Sequence, residues 1–414
     1  MSSGEQFSAP SLKRETCVDL AVIGGGFTGC SAALEAARAG ASVALFEAES
    51  IGYGGSGRNV GLVNAGLWLP PEVLIAQLGH EGGLRLIKAL AKAPDITFEL
   101  IDREAIDCEA QRKGTLHLAH SPNGLSDLED RHRQGVALGA PLRLLDATET
   151  AQRTGSHAFF GSLHDPRAGT IQPLAYVRGL ARAAQSAGAV LHERSPVSKI
   201  VFEKETWALV VGDYKVKARH LLVATNAYHL GISDPFRPQF VPVQYCQYAT
   251  APLPEPLGAA ILPGREGCWD TALVMSSLRR DLAGRLIIGG IGNSDRPGGK
   301  LHAAWAARKL AALFPSLSRQ EFTHGWSGRI AMTRDHVPKI VAFGPRAMAC
   351  FGYSGRGIGP GTVFGRGCAL ALLSENHDSL PVKPLESYDE RFTAARALWY
   401  EFGASLVHTT SARL

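Results

Sequence analysis

Apolar and polar positions follow several rhythms along this chain, and each predicts an element. Residues 18–23 form an unbroken apolar run, short enough for a strand and apolar enough to be buried on both faces. An alanine-rich stretch with helical spacing follows and stops near Gly40, a residue suited to a helix C-terminus. Residues 42–46 read as a second buried strand. Helical rhythm returns over 70–107, interrupted near Pro94, over 125–138, and in an amphipathic stretch from 173 to about 188. A short strand is expected at 115–119. Strand patterns recur at 189–192, 197–202, 207–211 and 214–218, and 220–226 reads as a buried strand that returns the chain to the first sheet. Residues 235–290 are rich in strand signals broken by proline and glycine, with 280–284 as a hairpin connection into a strand at 285–289. A helix over 302–314 is ended by Pro315, and strands are expected at 323–330, 339–342 and 347–351. A glycine-rich loop over 352–361 then leads into a helix to about Ser374, and residues 1–14 read as a flexible arm.

The first apolar run ends in Gly24, Gly26 and Gly29, the G-x-G-x-x-G spacing. The first glycine permits a tight strand-to-helix turn, the second lets a pyrophosphate approach the backbone, and the third lets helix and strand pack closely. Glu47 ends the second strand, where its carboxylate is placed to accept ribose hydroxyls. Strand, glycines, small-residue helix, strand and acid together predict a dinucleotide site, with the helix N-terminus directed at the pyrophosphate. The glycine-rich stretch 52–66 follows on the carboxyl edge of the sheet, so its Arg58 and Asn59 are candidates to wrap a phosphate or a flavin edge.

Composition narrows the function classes. The 414 residues suffice for two domains, and the formal charge of +5 comes without any dense basic run, which argues against nucleic acid as a partner. The seven cysteines form no C-x-x-C pair, and the N-terminus lacks the apolar segment of a secretory signal. These features predict a cytoplasmic protein without a transmembrane segment, a zinc site or a redox cysteine pair. Ala412, Arg413 and Leu414 loosely resemble a peroxisomal address. Residues 290–295 and 355–360 each fail the fingerprint at its last glycine, so a single bound cofactor is expected to do the redox work. No nucleophile elbow, H-E-x-x-H or Walker lysine motif is present.

Residues 55–59 (GSGRN) and 352–357 (GYSGRG), with the opening fingerprint, resemble the D-amino-acid oxidase superfamily of flavoproteins. Residues 326–338 (WSGRIAMTRDHVP) look like its γ-glutamylputrescine oxidase branch. The segments 106–120 and 165–171, and the Cys268-Trp269-Asp270 triplet, are similar to bacterial L-pipecolate oxidases. The resemblance implies an α/β fold: a Rossmann-like FAD-binding domain of residues 15–75, 150–228 and 330–375, and a second α+β substrate domain of 76–149 and 229–329 on an antiparallel sheet, with 376–414 as a C-terminal segment. FAD would lie extended, its ring between the domains. The implied cofactor contacts are Gly24, Gly26, Phe27, Thr28, Gly29, Glu47, Ser56, Gly57, Arg58, Asn59, Gly61, Leu62, Val197, Ala224, Thr225, Gly355, Arg356, Gly357 and Ile358.

Where the superfamily's sarcosine oxidases attach flavin through cysteine, this chain has Gly328, so noncovalent FAD is expected. Their substrate-carboxylate and oxygen-activating lysines fall near Gly359 and Ile287, so neither role carries over. Arg356, Tyr353 and Arg329 are the candidate catalytic residues, with Arg58, Tyr245 and Trp269 as further pocket candidates. The implied activity is hydride transfer from the carbon next to an amine nitrogen to flavin N5, giving an imine, with oxygen or a respiratory acceptor reoxidising the flavin. L-Pipecolate is the favoured substrate. The alternatives are γ-glutamylputrescine oxidation, an acceptor-linked amino-acid dehydrogenase, and a non-catalytic flavin-binding protein.

Overall fold

The computed structural model describes residues 4–232, 234–295 and 298–411. Its architecture is mixed α/β, with two eight-stranded sheets and one two-stranded ribbon. The strand Thr16–Ile23 is central to the first sheet, flanked in parallel by Val43–Phe46 and Tyr214–Val223. Val190–His192 extends one side, while Ala347–Phe351 and Lys339–Gly344 extend the other. The four residues of Val43–Phe46 are all buried, as a strand covered on both faces requires. The strands expected at 214–218 and 220–226 are one strand, Tyr214–Val223. Its first half pairs with Thr206–Val211 and its end with Ala347–Phe351, so Arg219 between them is no break.

The helix Phe27–Arg38 lies between the helices Pro173–Ser186 and Ile358–Ser374. Small residues make this possible: a Cβ on Gly365 would sit 2.2 Å from the Thr28 carbonyl oxygen. The expected loop at 352–361 is shorter than the sequence suggested, because the helix already starts at Ile358 and accepts Pro360 in its first turn.

The second sheet runs Phe322–Met332, Val241–Pro252, Arg285–Ile291, Ser276–Arg280, Gly267–Asp270, Thr115–Leu118, Ser162–Asp165 and Arg143–Leu145. Every pairing is antiparallel except that of Gly267–Asp270 with Thr115–Leu118. Ser162–Asp165 thus joins this sheet although 150–228 was expected to serve the nucleotide-binding unit. The helix Gly299–Leu313 backs the sheet, with Trp305, Leu310 and Leu313 in a core with Cys246, Leu286 and Ile288.

The described part of the expected arm is not loose. Ala9 and Leu12 are buried, and their N–H groups donate to Glu193 Oε2 and Ser195 Oγ, both at 3.0 Å. Of the helices longer than one turn among the described residues, two lie outside the expected elements. Ala147–Thr154 is capped by a reciprocal Asp146/Glu149 box, and Thr393–Thr410 occupies the C-terminal segment. Residues 412–414, the possible peroxisomal address, lie outside the described residues. Among the described residues no helix is long and apolar enough to cross a membrane.

Candidate active site

Residues from both sheets line one cavity of about 790 Å³. At one end lies the glycine turn. Gly24 has φ +109°, and a Cβ there would stand 2.8 Å from the Ala224 carbonyl oxygen, so no other residue suits the turn. Gly26 borders the cavity, and its missing side chain leaves room that a Cβ would close to 2.9 Å from Ser56 Oγ. Gly29 faces inward instead: a Cβ there would lie 1.9 Å from the Gly24 carbonyl oxygen. Its role is the close helix–strand contact, and it does not line the cavity.

Glu47 lines the cavity and accepts the N–H groups of Gly25 at 2.7 Å and Glu49 at 2.9 Å. Burial raises its pKa against the lowering effect of those donors. The carboxylate therefore braces the glycine turn as well as facing the space where a ribose would lie. Val197, Ala224 and Thr225 line this same cavity.

The 52–66 stretch is more ordered than a plain loop, because Gly55–Arg58 makes one helical turn. Ser56 Oγ accepts the Phe27 N–H at 3.0 Å, tying that turn to the start of the nucleotide-binding helix. Asn59 folds the stretch on itself, donating to the carbonyls of Gly55 and Ser56 and accepting the Gly61 N–H. Arg58 donates to the Tyr53 carbonyl at 2.7 Å and the Ser327 carbonyl at 3.0 Å, linking the two sheets. Ser56, Arg58, Asn59 and Leu62 all border the cavity. Gly57 and Gly61 do not, contrary to expectation. A Cβ on them would meet the carbonyl oxygens of Gly52 at 2.3 Å and Ile171 at 2.1 Å, so they serve packing.

The opposite wall carries positive charge and aromatic rings. The Arg356 guanidinium lies 4.4 Å from the Trp68 ring centroid and 4.8 Å from that of Trp269. It donates to the Leu67 carbonyl at 3.0 Å, while its Nε is buried without a partner. Burial, and then the charge of Arg131, pull its pKa down to about 9, which leaves it cationic at neutral pH. Trp269 Nε1 and Gln247 Oε1, both on residues lining the cavity, are also buried without partners. His117 stacks on Trp269 with centroids 5.0 Å apart. Burial, followed by Arg131 and Arg356, holds its pKa well below the imidazole range, so it is neutral. Gly355, Gly357 and Ile358 complete this side.

The other candidates fall in different places. Arg329 lines the cavity with its guanidinium 5.0 Å from the Tyr228 ring centroid, and its N–H donates to the Tyr228 hydroxyl at 2.9 Å. Tyr245 lines the cavity and donates to Ser277 Oγ at 3.0 Å. Tyr353 borders the cavity, but its hydroxyl is 2.6 Å from Thr28 Oγ1 and 3.1 Å from Cys350 Sγ. That buried pairing ties the loop after the strand Ala347–Phe351 to the helix Phe27–Arg38. Sequence patterns did not single out His117, Trp68, Arg131 or Gln247. His117 sits inside a segment noted only for its resemblance, and no local spacing marks the others.

The residues fit a long dinucleotide cofactor. A side-chain-free cradle lies at one end, a carboxylate stands beside it, and residues carrying unpartnered buried polar atoms line the other. Among the described residues no cysteine lines the cavity, and no group of three or more His, Cys, Asp or Glu is placed to hold a metal ion.

Comparison with known proteins agrees. A probable oxidoreductase OrdL of Rhizobium meliloti (strain 1021) is 33% identical over 363 residues, covering 84% of this chain and 81% of that protein. Gamma-glutamylputrescine oxidoreductase of Escherichia coli (strain K12) is 30% identical over 363 residues, covering 84% and 82%. The crystal structure of glycine oxidase from Geobacillus kaustophilus shares the fold, with a TM-score of 0.72 at 22% identity over 87% of this chain and 95% of that one. The DAO family, described as FAD dependent oxidoreductase, matches residues 19–370. A match across that much of the chain, on a fold whose cavity suits the cofactor, places the chain in the DAO family of FAD-dependent oxidoreductases.

Proposed function

We propose that the chain oxidises an amino acid at the carbon next to a secondary or cyclic amine nitrogen, with L-pipecolate as the favoured substrate. The observation that carries this reading is Arg356, a cation held between two tryptophan rings with an unpartnered Nε beside the cavity. A buried cation with spare donor capacity suits a carboxylate, which its planar fork grips with two parallel hydrogen bonds. Arg329, on the same cavity, is the second cation available to an anionic substrate. Arg356 and Arg131 also disfavour a protonated amine nearby, because like charges lower an ammonium pKa. Neutral His117 adds no charge of its own beside them. Tyr245 and Trp269 supply apolar wall that excludes water from the reacting carbon.

Gly24, Gly26, Phe27, Thr28, Ser56 and Glu47 would hold the cofactor's nucleotide half, and Gly355 to Ile358 would flank its ring. The absence of cysteine from the cavity wall supports noncovalent attachment. FAD held there would supply the oxidising power that converts the amine to an imine, which water would open. Oxygen or a respiratory acceptor would take up the electrons. A second reading, γ-glutamylputrescine oxidation, is favoured by the 30% identical relative from Escherichia coli.

Anaerobic mixing of the yellow holoprotein with L-pipecolate, γ-glutamylputrescine, sarcosine and D-alanine tests this. L-Pipecolate should bleach the flavin fastest. Faster bleaching by γ-glutamylputrescine selects the second reading, and no bleaching by any amine refutes both.

A further inference from the structure

The C-terminal helix Thr393–Thr410 lies beyond the residues that match the family, yet it reaches the cavity. Ala397, Tyr400, Ala404 and His408 recur at helical spacing along one face. Ala397 and Tyr400 pack against Val241, Val243 and Met332 of the second sheet. Tyr400 also lines the cavity, half-buried, and its hydroxyl makes no hydrogen bond among the described residues.

The far end of this helix is pinned. The His408 ring stacks on Trp305, centroids 3.8 Å apart and planes 12° apart. His408 Nδ1 lies 2.7 Å from His302 Nδ1, and His302 Nε2 lies 3.3 Å from Glu401 Oε1. Arg308 donates to the His408 carbonyl. His302 and Trp305, on the helix Gly299–Leu313, are only 1% and 2% exposed. Sliding the C-terminal helix would break these buried contacts, so Tyr400 holds a fixed place in the wall.

Around it the wall is aliphatic: Val243, Ile291, Ile330 and Met332 line the same cavity. A rigid phenol ring on such a wall limits how far a ligand extends. We infer that Tyr400 is a specificity-determining residue that sets ligand length, admitting compact amino acids and obstructing elongated amines. This rests on the proposed amine and amino-acid oxidation, but it is separable from it, because length discrimination is read by binding alone.

The test uses holoprotein of wild type and of Tyr400→Ala, Tyr400→Phe and Tyr400→Trp. Benzoate and 4-phenylbutyrate, a compact and a long carboxylate, are titrated while the flavin absorbance is followed. Tyr400→Ala should tighten 4-phenylbutyrate relative to benzoate by roughly tenfold. Tyr400→Phe should leave the ratio as in wild type, and Tyr400→Trp should move it the other way. Should Tyr400→Ala fold poorly, the Phe and Trp variants carry the comparison. An unchanged ratio across the variants overturns the inference, and so does failure of both acids to perturb the flavin. Failure of every amine to reduce the wild-type flavin would refute the oxidase reading while leaving the binding result to decide on Tyr400.

Discussion

Replacing Arg356 with methionine separates a substrate anchor from a structural strut, because the two roles predict different pairs of results. In the folded protein the guanidinium has a 3.0 Å hydrogen bond to the Leu67 carbonyl and two ring faces at 4.4 and 4.8 Å. Cation–π contacts contribute about 0.5–2 kcal/mol each, and a hydrogen bond from a charged group about 1.5–3 kcal/mol. Burying an ion opposes them with a cost of several kcal/mol, and nearby Arg131 adds repulsion. The downward shift of the Arg356 pKa gives the sign: the folded protein disfavours this cation relative to the unfolded chain. Methionine keeps much of the bulk and removes both the favourable contacts and the ion burial. The net change in unfolding free energy should stay within about 2 kcal/mol, since the opposing contributions are of similar size.

The loss should fall on substrate instead. KM for amino acids should rise by roughly tenfold or more, at least ~1.4 kcal/mol of binding, with FAD content unchanged. Arg356→Lys retains charge without the planar fork and should fall between. Steady-state kinetics and urea unfolding of the holoproteins give both numbers. An unchanged KM together with a stability loss above about 3 kcal/mol would make Arg356 a strut and remove the main support for a carboxylate substrate.

Three further outcomes are expected. Gly26→Val displaces only the Ser56 side chain and fills the cradle, so FAD binding should fail while the apoprotein stays folded, whereas Gly29→Ala drives a Cβ to 1.9 Å from a backbone oxygen and should destabilise the fold by about 1–3 kcal/mol or more; equal thermal shifts in the two would contradict this. Acid precipitation should release all the flavin as FAD, and yellow colour left in the pellet would contradict noncovalent attachment. Burial, His302 and Arg308 hold the His408 pKa down to about 3, against the imidazole's ordinary 6.5. As pH falls through that window the unfolded chain takes up a proton that the folded His408 refuses, so stability falls by up to about 1.4 kcal/mol per pH unit and is full only above the upper value. Protection along Thr393–Thr410, taken as the exchange rate relative to the intrinsic amide rate at each pH, should therefore fall between about pH 6.5 and 5, and unchanged protection would place His408 outside the tether.

The nucleotide end of the site was legible because its determinants are local. Strand, turn and helix follow one another from Thr16 to Arg38, and the glycines act on near neighbours. Even there, spacing could not tell which glycines face the ligand. Gly26 borders the cavity, Gly29 and Gly57 press against backbone oxygens five residues earlier in their own stretches, and Gly61 presses against that of Ile171 in another segment. Nor could spacing show that the Tyr353 hydroxyl pairs with Thr28, far away in the chain. The C-terminal helix was hidden by an inverted pattern. Leu398, Trp399, Phe402 and Leu406 are all more than half exposed, while its packed face carries the small residues Ala397 and Ala404 beside Tyr400 and His408. A periodicity search that assigns large apolar residues to the core finds the wrong face of such a helix.

The substrate end is set by the register of the second sheet, which no local motif encodes. His117 is the direct partner of Trp269 in the parallel pairing of Thr115–Leu118 with Gly267–Asp270, so the imidazole and the indole share one face of the sheet. A slip of one residue would replace His117 by Leu116 or Leu118 and turn the imidazole to the opposite face. The same logic places Tyr245 against Gly328 and Gln244 against Arg329 in the pairing of Val241–Pro252 with Phe322–Met332. At Gly328 the absence of a side chain leaves room for Arg58, whose Cβ would be 3.3 Å from an added Cβ. A residue with a side chain there would press on the arginine that donates to the Ser327 carbonyl. Gly328 is thus the position that lets the loop of the first sheet close onto the second.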